Sequence, residues 1–347
     1  MMKNHSVDKL KAIACYLVVL NHFHPGGVFG EITYTISHFG VPLFFLVSGY
    51  YLLDKNSQIS AARLWKKVKH IGLLLLGHII LYAFYEVVSK LVAGAPINSV
   101  LTGIKSYFSG IAIVKAVFLG TGIMGGGEWF LVSLLEAYVV IGIIMLSKPA
   151  RHILTDYAHV IAVLLLLVHI PVRYYCIKMG IDTFGPISLV ESYAVRNTWL
   201  DAIPFLLLGV SIRENAETIK ISHPLAIAFF AMIVGIGEHF YNLKMIEPYS
   251  THDVLYFGTI VAVIMAFNWA INNKTDEDWL TRIGARYSMM IYFLHPIVGW
   301  LLQSLIGVDI ISINTVAACV FSIVIMSMTT LITVTVYWTK RKITVKG

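Results

Sequence analysis

Two ionisable residues stand out in the first apolar segment of the chain, a lysine at position 11 and a histidine at position 22. Lys11 and His22 are eleven positions apart, about three turns of an α-helix, which places both side chains on one face, about 16 Å apart along the axis. A cation and a neutral-pH base in a membrane helix are costly, and such groups usually face a bundle interior and carry function. Because an imidazole titrates near neutrality, the pair suggests acid–base chemistry.

The composition indicates that helices in a membrane position these residues. Hydrophobic residues make up 58% of the chain and charged residues only 13%. The mean hydropathy is +0.77, and apolar runs of membrane-spanning length recur along the whole sequence. We therefore predict an all-α, polytopic membrane bundle that forms one domain over residues 1–347.

Ten segments have the apolar character that a membrane helix requires. They are residues 10–24, 36–53, 70–93, 129–147, 155–175, 199–213, 223–243, 253–272, 287–306 and 314–338. The stretch 94–128 between the third and fourth segments is expected to be a loop with one or two short interfacial or re-entrant helices.

The distribution of positive charge predicts the orientation. With the N-terminus in the cytoplasm, 19 of the 26 Lys and Arg residues fall in cytoplasmic segments. This bias continues to the last segment, so both termini are predicted to be cytoplasmic. The net charge of +7 then reflects topology, and we expect no nucleic-acid partner.

Several motifs along the chain resemble the acyltransferase-3 family of integral-membrane acyltransferases. They are the Lys11-to-His22 spacing (the family more often has Arg at the first position), the run Gly40-Val-Pro-Leu-Phe-Phe-Leu-Val-Ser-Gly-Tyr-Tyr-Leu-Leu53, the Trp129-Phe-Leu opening of the fourth segment, Phe205-Leu-Leu-Leu-Gly209, and Ser288-Met-Met-Ile-Tyr-Phe-Leu-His295. The resemblance covers nearly the whole chain, and the order and spacing of the motifs make it specific.

The resemblance implies an O-acyltransferase of the bacterial cytoplasmic (inner) membrane. Such an enzyme moves an acyl group, by family frequency acetyl, from acetyl-CoA or another acyl-CoA to a hydroxyl of a surface glycan or a lipid-linked glycan precursor. His22 is the expected general base, and an acyl-imidazole intermediate is a chemically open alternative. Lys11 is either a contact for the acyl-CoA or a positive-inside anchor of the helix.

The remaining candidate cofactor contacts form a basic run. Arg63, Lys66 and Lys67 would attract the phosphates of CoA, and the alternative is a topogenic loop that contacts anionic lipid. The three cysteines are scattered without metal-ligand spacing, so we expect no metal and no structural disulfide.

Candidates near the substrate lie in the second and fourth segments. Glu136, a carboxylate inside a membrane helix, needs a partner, either a histidine that it orients or a basic residue, and is a candidate catalytic residue. Trp129 and Glu128 are candidate substrate contacts, although Glu128 could equally be a solvated loop residue. Ser48, next to Gly49, would either contact the substrate or serve helix packing.

The sixth and ninth segments carry the other candidates. Arg196, Asn197 and Asp201 suit hydrogen bonding to a sugar, and the alternative is a surface pair between Arg196 and Asp201. His295 is a substrate-site candidate through the resemblance.

A second function remains open on composition alone. Ten apolar segments with buried polar groups also fit a transporter or exporter of a glycan or a small polar molecule. Consumption of acyl-CoA would distinguish the enzyme from the transporter.

Overall fold

Helices make up nearly all of the described chain. A computed structural model describes residues 4–53, 59–119, 123–124, 128–178, 183–184, 187–188, 197–216, 218, 220–245, 255–307, 310 and 313–346. The α-helices are α1 (His5–His22), α2 (Gly27–Ser37), α3 (Gly40–Tyr50), α4 (Ala61–Val92), α5 (Ile97–Tyr107), α6 (Gly110–Leu119), α7 (Trp129–Ile144), α8 (Lys148–Asp156), α9 (Ala158–Lys178), α10 (Ile203–Glu214), α11 (Pro224–Met245), α12 (Phe257–Asn272), α13 (Trp279–Arg282), α14 (Ser288–Ile306) and α15 (Thr315–Lys346).

Four short elements complete the described fold. Two segments, Thr198–Ala202 before α10 and Ile283–Tyr287 between α13 and α14, are π-helical. The two-residue strands β1 (Thr183–Phe184) and β2 (Ile187–Ser188) pair antiparallel.

The membrane character predicted from composition is confirmed. Within the described residues, six helical stretches are long and apolar enough to cross a membrane, and seven if the bent pair of α8 and α9 forms one span. The helices α7 and α12 are apolar but shorter. A multi-pass helical membrane protein follows, whereas the number of ten spans and the cytoplasmic termini stay predictions.

The segment after α4, expected to be a loop with one or two short interfacial or re-entrant helices, contains the helices α5 and α6. Together they form the stretch Ile97–Val117, which is long and apolar enough to count among the six candidate spans. The basic run of Arg63, Lys66 and Lys67, by contrast, was expected in a loop and lies in the first two turns of α4. Leu64, within the run, is buried, so one side of this first turn packs against the protein.

The chain divides into two compact units. The first comprises Met1–Phe44, Ile221–Phe240 and Tyr256–Gly347. The second comprises Phe45–Lys220 and Tyr241–Leu255.

The helix α1 lies at the centre of the first unit and packs against α2, α12, α13, α14 and α15. Small residues on α1 allow close approach, since Ala12 and Ala14 are fully buried. A Cβ atom on Gly284 would lie only 1.7 Å from the carbonyl oxygen of Asp8, so the backbone of the second π-helical segment touches α1 directly. The first unit therefore holds α1 by backbone contact at its N-terminal half.

In the second unit, α3 and α10 cross at two glycines. A Cβ atom on Gly49 would lie 1.9 Å from the carbonyl oxygen of Leu206, and one on Gly209 would lie 2.1 Å from the carbonyl oxygen of Leu46. Both distances are far below contact, so only glycine fits at either position. The close approach that the sequence suggested for Ser48 and Gly49 is present.

We expect Gly49→Ala to destabilise the protein by about 1–3 kcal/mol, because the added methyl group would press on backbone that cannot move without separating α3 from α10. Thermal unfolding of the purified protein in detergent measures the effect. The matched control is Gly77→Ala in α4, where no atom lies within 4 Å of the new Cβ. Equal melting temperatures for the two variants would contradict the close backbone contact between α3 and α10 at Gly49.

Candidate functional site

The helix α1 carries both residues of the first motif. It runs without a break from His5 to His22, and the Asn4 side chain caps its start by accepting a hydrogen bond from the Val7 N–H. Lys11 and His22 are therefore separated by about 16 Å along one helix, as the sequence predicts. The Lys11 ammonium lies 3.1 Å from Oδ1 of Asp8, and both side chains are largely buried.

The two histidines singled out in the sequence come together in the first unit. His22 is exposed at the C-terminal end of α1, whereas His295 on α14 is buried. Their ring centroids are 5.2 Å apart with the rings tilted, and the Phe23 ring meets His295 edge-on. The structure thus places an accessible imidazole beside a buried one.

The hydrogen bond of His295 fixes the tautomer of its neutral ring. Nδ1 lies 3.2 Å from the carbonyl oxygen of Ile291. A carbonyl oxygen only accepts, so Nδ1 carries the proton and donates it. Nε2 of a neutral His295 then has the lone pair and is an acceptor.

Glu136 on α7 has its partner within the second unit. Its Oε2 accepts a hydrogen bond from the hydroxyl of Thr198, which is fully buried in the first π-helical segment. The sequence predicted a partner for this carboxylate but suggested a histidine or a basic residue. The described partner is a neutral hydroxyl, so this contact is a hydrogen bond and not an ion pair.

Glu128 is buried, so its interpretation as a solvated loop residue was wrong. Its Oε1 accepts a hydrogen bond from the Met124 N–H, and its Oε2 lies 3.9 Å from Nε2 of His78. Burial raises the pKa of the Glu128 carboxyl above its usual range, while the backbone N–H donors, including that of Met124, act in the opposite direction. No local pattern in the sequence points to His78, because it reaches Glu128 from α4.

Asp201 is also buried, which excludes its interpretation as a member of a surface pair. Its Oδ2 accepts a hydrogen bond from the Asn197 N–H, and its Oδ1 lies 3.9 Å from Nδ1 of His169. Asn197 caps the π-helical segment, since its side-chain oxygen accepts from the N–H groups of Trp199 and Leu200. Arg196 lies outside the described residues.

A group of polar and basic side chains surrounds Tyr138 on α7. Ser48 hydrogen bonds with the Tyr138 hydroxyl, and the Lys67 ammonium lies 3.4 Å from the same oxygen. Arg63 donates a hydrogen bond to the carbonyl oxygen of Leu53, over 2.9 Å. Ser48 thus links α3 to α7, which fits its predicted packing role.

Two further candidates of the second unit show contrasting surroundings. Lys66 is exposed on α4. Trp129 opens α7, as predicted, and its ring lies 6.1 Å from the ring of Phe45.

Within the described ranges, neither Lys66 nor its neighbours Arg63 and Lys67 form an ion pair with an acid.

A hydrogen-bonded chain of three residues in the first unit has no counterpart in the sequence analysis. His239 on α11 is fully buried, with Nε2 at 2.8 Å from Oε2 of Glu31 and Nδ1 at 2.7 Å from the hydroxyl of Tyr256. Because a carboxylate accepts, Nε2–H donates to Glu31 and Nδ1 of the neutral ring accepts from Tyr256. Glu31 and His239 are 208 residues apart, so only the folded chain reveals the contact.

The described residues contain no group of three or more His, Cys, Asp or Glu side chains arranged to hold a metal ion. Cys15 and Cys319 are free thiols.

The family model described as an acyltransferase domain, Acyl_transf_3, matches residues 4–338 of the chain. The chain belongs to the acyltransferase-3 family. The match spans α1 with Lys11 and His22, and α14 with His295.

Two curated relatives of this acyltransferase-3 chain have names of a different kind. An "Amino-acid racemase" from Enterococcus faecalis is 24% identical over 333 residues, and the match covers 87% of this chain and 42% of that protein. A "Serine/alanine racemase" from Enterococcus gallinarum is 24% identical over 334 residues, 85% of this chain and 41% of that protein. The chain spans about two fifths of the length of these relatives. No solved structure matches it significantly.

For this family member we expect Glu31→Leu to lower the free energy of unfolding by about 1–3 kcal/mol, because the buried Nε2–H of His239 would lose its acceptor. Thermal unfolding in detergent tests this. The matched variant Glu31→Gln keeps an acceptor oxygen and should be closer to wild type. If both variants unfold at the same temperature, the hydrogen bond is not what stabilises this part of the first unit.

Proposed function

We propose that this chain transfers an acyl group, most simply acetyl, from acyl-CoA to a hydroxyl of a surface glycan or a lipid-linked glycan precursor. The reaction belongs in a bacterial cytoplasmic membrane, with acyl-CoA entering from the cytoplasm. The observation that carries the proposal is His22, an exposed imidazole at the end of α1 whose ring lies 5.2 Å from that of His295. Family membership supplies the class of reaction.

In the proposed step, His22 takes the proton of the acceptor hydroxyl while the hydroxyl oxygen attacks the thioester carbonyl carbon. The carbon–sulfur bond then breaks, and the protonated imidazole returns the proton to the departing thiolate, which leaves as free CoA thiol. The glycan gains an ester, so atoms and charges balance. An acyl-imidazole on His22 is a second route to the same products.

His295 has the features of a partner for this step. Its neutral ring carries the lone pair on Nε2, because Nδ1 donates to the carbonyl oxygen of Ile291. A buried acceptor beside the base would hold a hydroxyl or the protonated ring of His22 in one orientation, and orientation is a large part of enzymatic rate enhancement.

Cations at the predicted cytoplasmic side suit the phosphates of CoA. Arg63, Lys66 and Lys67 have no acidic ion-pair partner among the described residues, which leaves their charge available to an anion. Lys11 differs, because Asp8 already pairs with its ammonium. We therefore propose the basic run of α4 as the main phosphate contact and Lys11 as a secondary one.

Apart from His295, the acceptor contacts proposed from the sequence lie in the second unit. Trp129, Asn197 and Asp201 supply an apolar ring face, an amide and a carboxylate, the groups that sugars commonly contact. Of these, Asn197 and Asp201 are engaged in capping and backbone hydrogen bonds. The curated relatives are named racemases and are much longer than the stretch they share with this chain, and we propose no racemase activity here.

Replacement of His22 tests the base. We expect His22→Ala to lower transfer about a hundredfold or more, since general base catalysis contributes about 10²–10⁴-fold. The assay incubates purified protein with acetyl-CoA and a crude glycan extract, and follows free CoA thiol and acetylated glycan by mass spectrometry. His24→Ala is the matched control, because His24 Nδ1 contacts only the nearby Pro25 carbonyl among its described hydrogen bonds.

Near-wild-type transfer by His22→Ala would refute the base assignment. Absence of acetyl-CoA binding and consumption by the wild-type protein would refute the enzyme and favour the transporter. Folding of each variant is checked by its elution as a single peak in detergent.

The pairing of Lys11 with Asp8 allows a second test. If Lys11 contacts the acyl-CoA, Lys11→Gln should raise the KM for acetyl-CoA several-fold with little change in kcat. Asp8→Asn should lower that KM, because the ammonium would lose its competing carboxylate. Steady-state kinetics against acetyl-CoA separate the two parameters. Unchanged KM in both variants would assign Lys11 to anchoring α1.

A further inference from the structure

A cavity of about 440 Å³ lies in the first unit, where α14 begins and α15 ends. The rings of Tyr287 and Tyr337 form part of its wall and contact each other at 5.3 Å. Both helices belong to stretches that are long and apolar enough to span a membrane, and the cavity lies in the first half of one stretch and the last third of the other. In a bilayer that these stretches cross, we expect Lys340, the last residue of its stretch, to lie near the boundary between hydrocarbon and headgroups.

Two basic residues line this cavity. They are Arg286 and Lys340, both side chains are exposed, and none of the described lining residues is acidic. Both cations lie on the side that the charge distribution predicts to be cytoplasmic. Two cations in one wall attract an anion with at least one phosphate-like group.

A buried hydroxyl lines the same cavity. Thr333 is only 2% exposed, and its Oγ1 has no hydrogen-bond partner among the described residues. A buried hydroxyl without a partner is unfavourable, so a bound acceptor would stabilise it. Thr333 lies seven positions before Lys340 on α15, so Thr333 is about 10 Å deeper along the helix than Lys340.

Apolar side chains complete the surface. Met290 and Val336 line the cavity and are 39% and 47% exposed. A soluble anion would leave these side chains uncovered, whereas an acyl chain would cover them. The cavity therefore offers charge at the interface, a hydrogen-bond donor deeper down, and an apolar wall beside both.

We propose that this cavity binds an anionic phospholipid of the membrane that holds the protein. The phosphate contacts Arg286 and Lys340, an ester oxygen accepts from the Thr333 hydroxyl, and one acyl chain packs along Met290 and Val336. The site is independent of the proposed acyl transfer and uses none of its residues.

Native mass spectrometry of the full chain in detergent tests the proposal, with phosphatidylglycerol and phosphatidylcholine as the probes. We expect phosphatidylglycerol to bind more tightly than phosphatidylcholine. The double variant Arg286→Gln/Lys340→Gln should weaken phosphatidylglycerol binding on the order of 30-fold, about fivefold for each charge. Thr333→Val should weaken binding of both lipids several-fold.

Lys342→Gln is the matched control, since it removes a charge from the same helix, and Lys342 stacks over Trp338 without lining the cavity. Equal binding of the two lipids by the wild-type protein would overturn the proposal, and this comparison needs no variant. Equal losses in the double variant and Lys342→Gln would overturn it as well. So would displacement of the bound lipid by adenosine 3′,5′-bisphosphate, which would assign the site to a soluble phosphoester.

Discussion

Hydrocarbon offers no hydrogen-bond partner, so a polar side chain within an apolar helix bundle has to find its partner in the protein. The first unit shows this at several depths of α1. The hydroxyl of Tyr16 lies 3.1 Å from that of Thr330 on α15, and the hydroxyl of Ser322 donates to the carbonyl oxygen of Phe23. Asn21 accepts from Ser37 on α2 over 2.7 Å. These contacts fix which helices surround α1.

The same constraint separates structural histidines from His22. His239, His78 and His169 are buried, and each has a carboxylate within 4 Å. His22 differs because it is exposed and its neighbour is another imidazole, His295. Exposure to a substrate is what distinguishes His22, the base proposed here, from the buried histidines.

The sequence predicts features of a single helix and the close helix approach at Gly49, but it does not predict most side-chain pairs between helices. The spacing of Lys11 and His22 holds because α1 is unbroken, and Trp129 opens α7 as expected. The pairing of Glu136 with Thr198, or of Glu31 with His239, depends on tertiary packing that no local pattern encodes. The burial of Glu128 was not predicted from the sequence either. Its contacts are a backbone N–H and a histidine on another helix, and no local pattern encodes them.

The two π-helical segments have a consequence for how the chain tolerates changes in length. A π-helical turn holds one residue more than the α-helical turn it replaces, so each segment is a local insertion. Deletion of one residue within Ile283–Tyr287 can be absorbed by a return to α-helix. His295 then keeps nearly the same angular position around the axis of α14. Deletion of one residue between Ser288 and His295 would instead rotate the imidazole by about 100° around the axis of α14, away from His22. Natural length variation in this half of the chain should therefore gather at the π-helical turns.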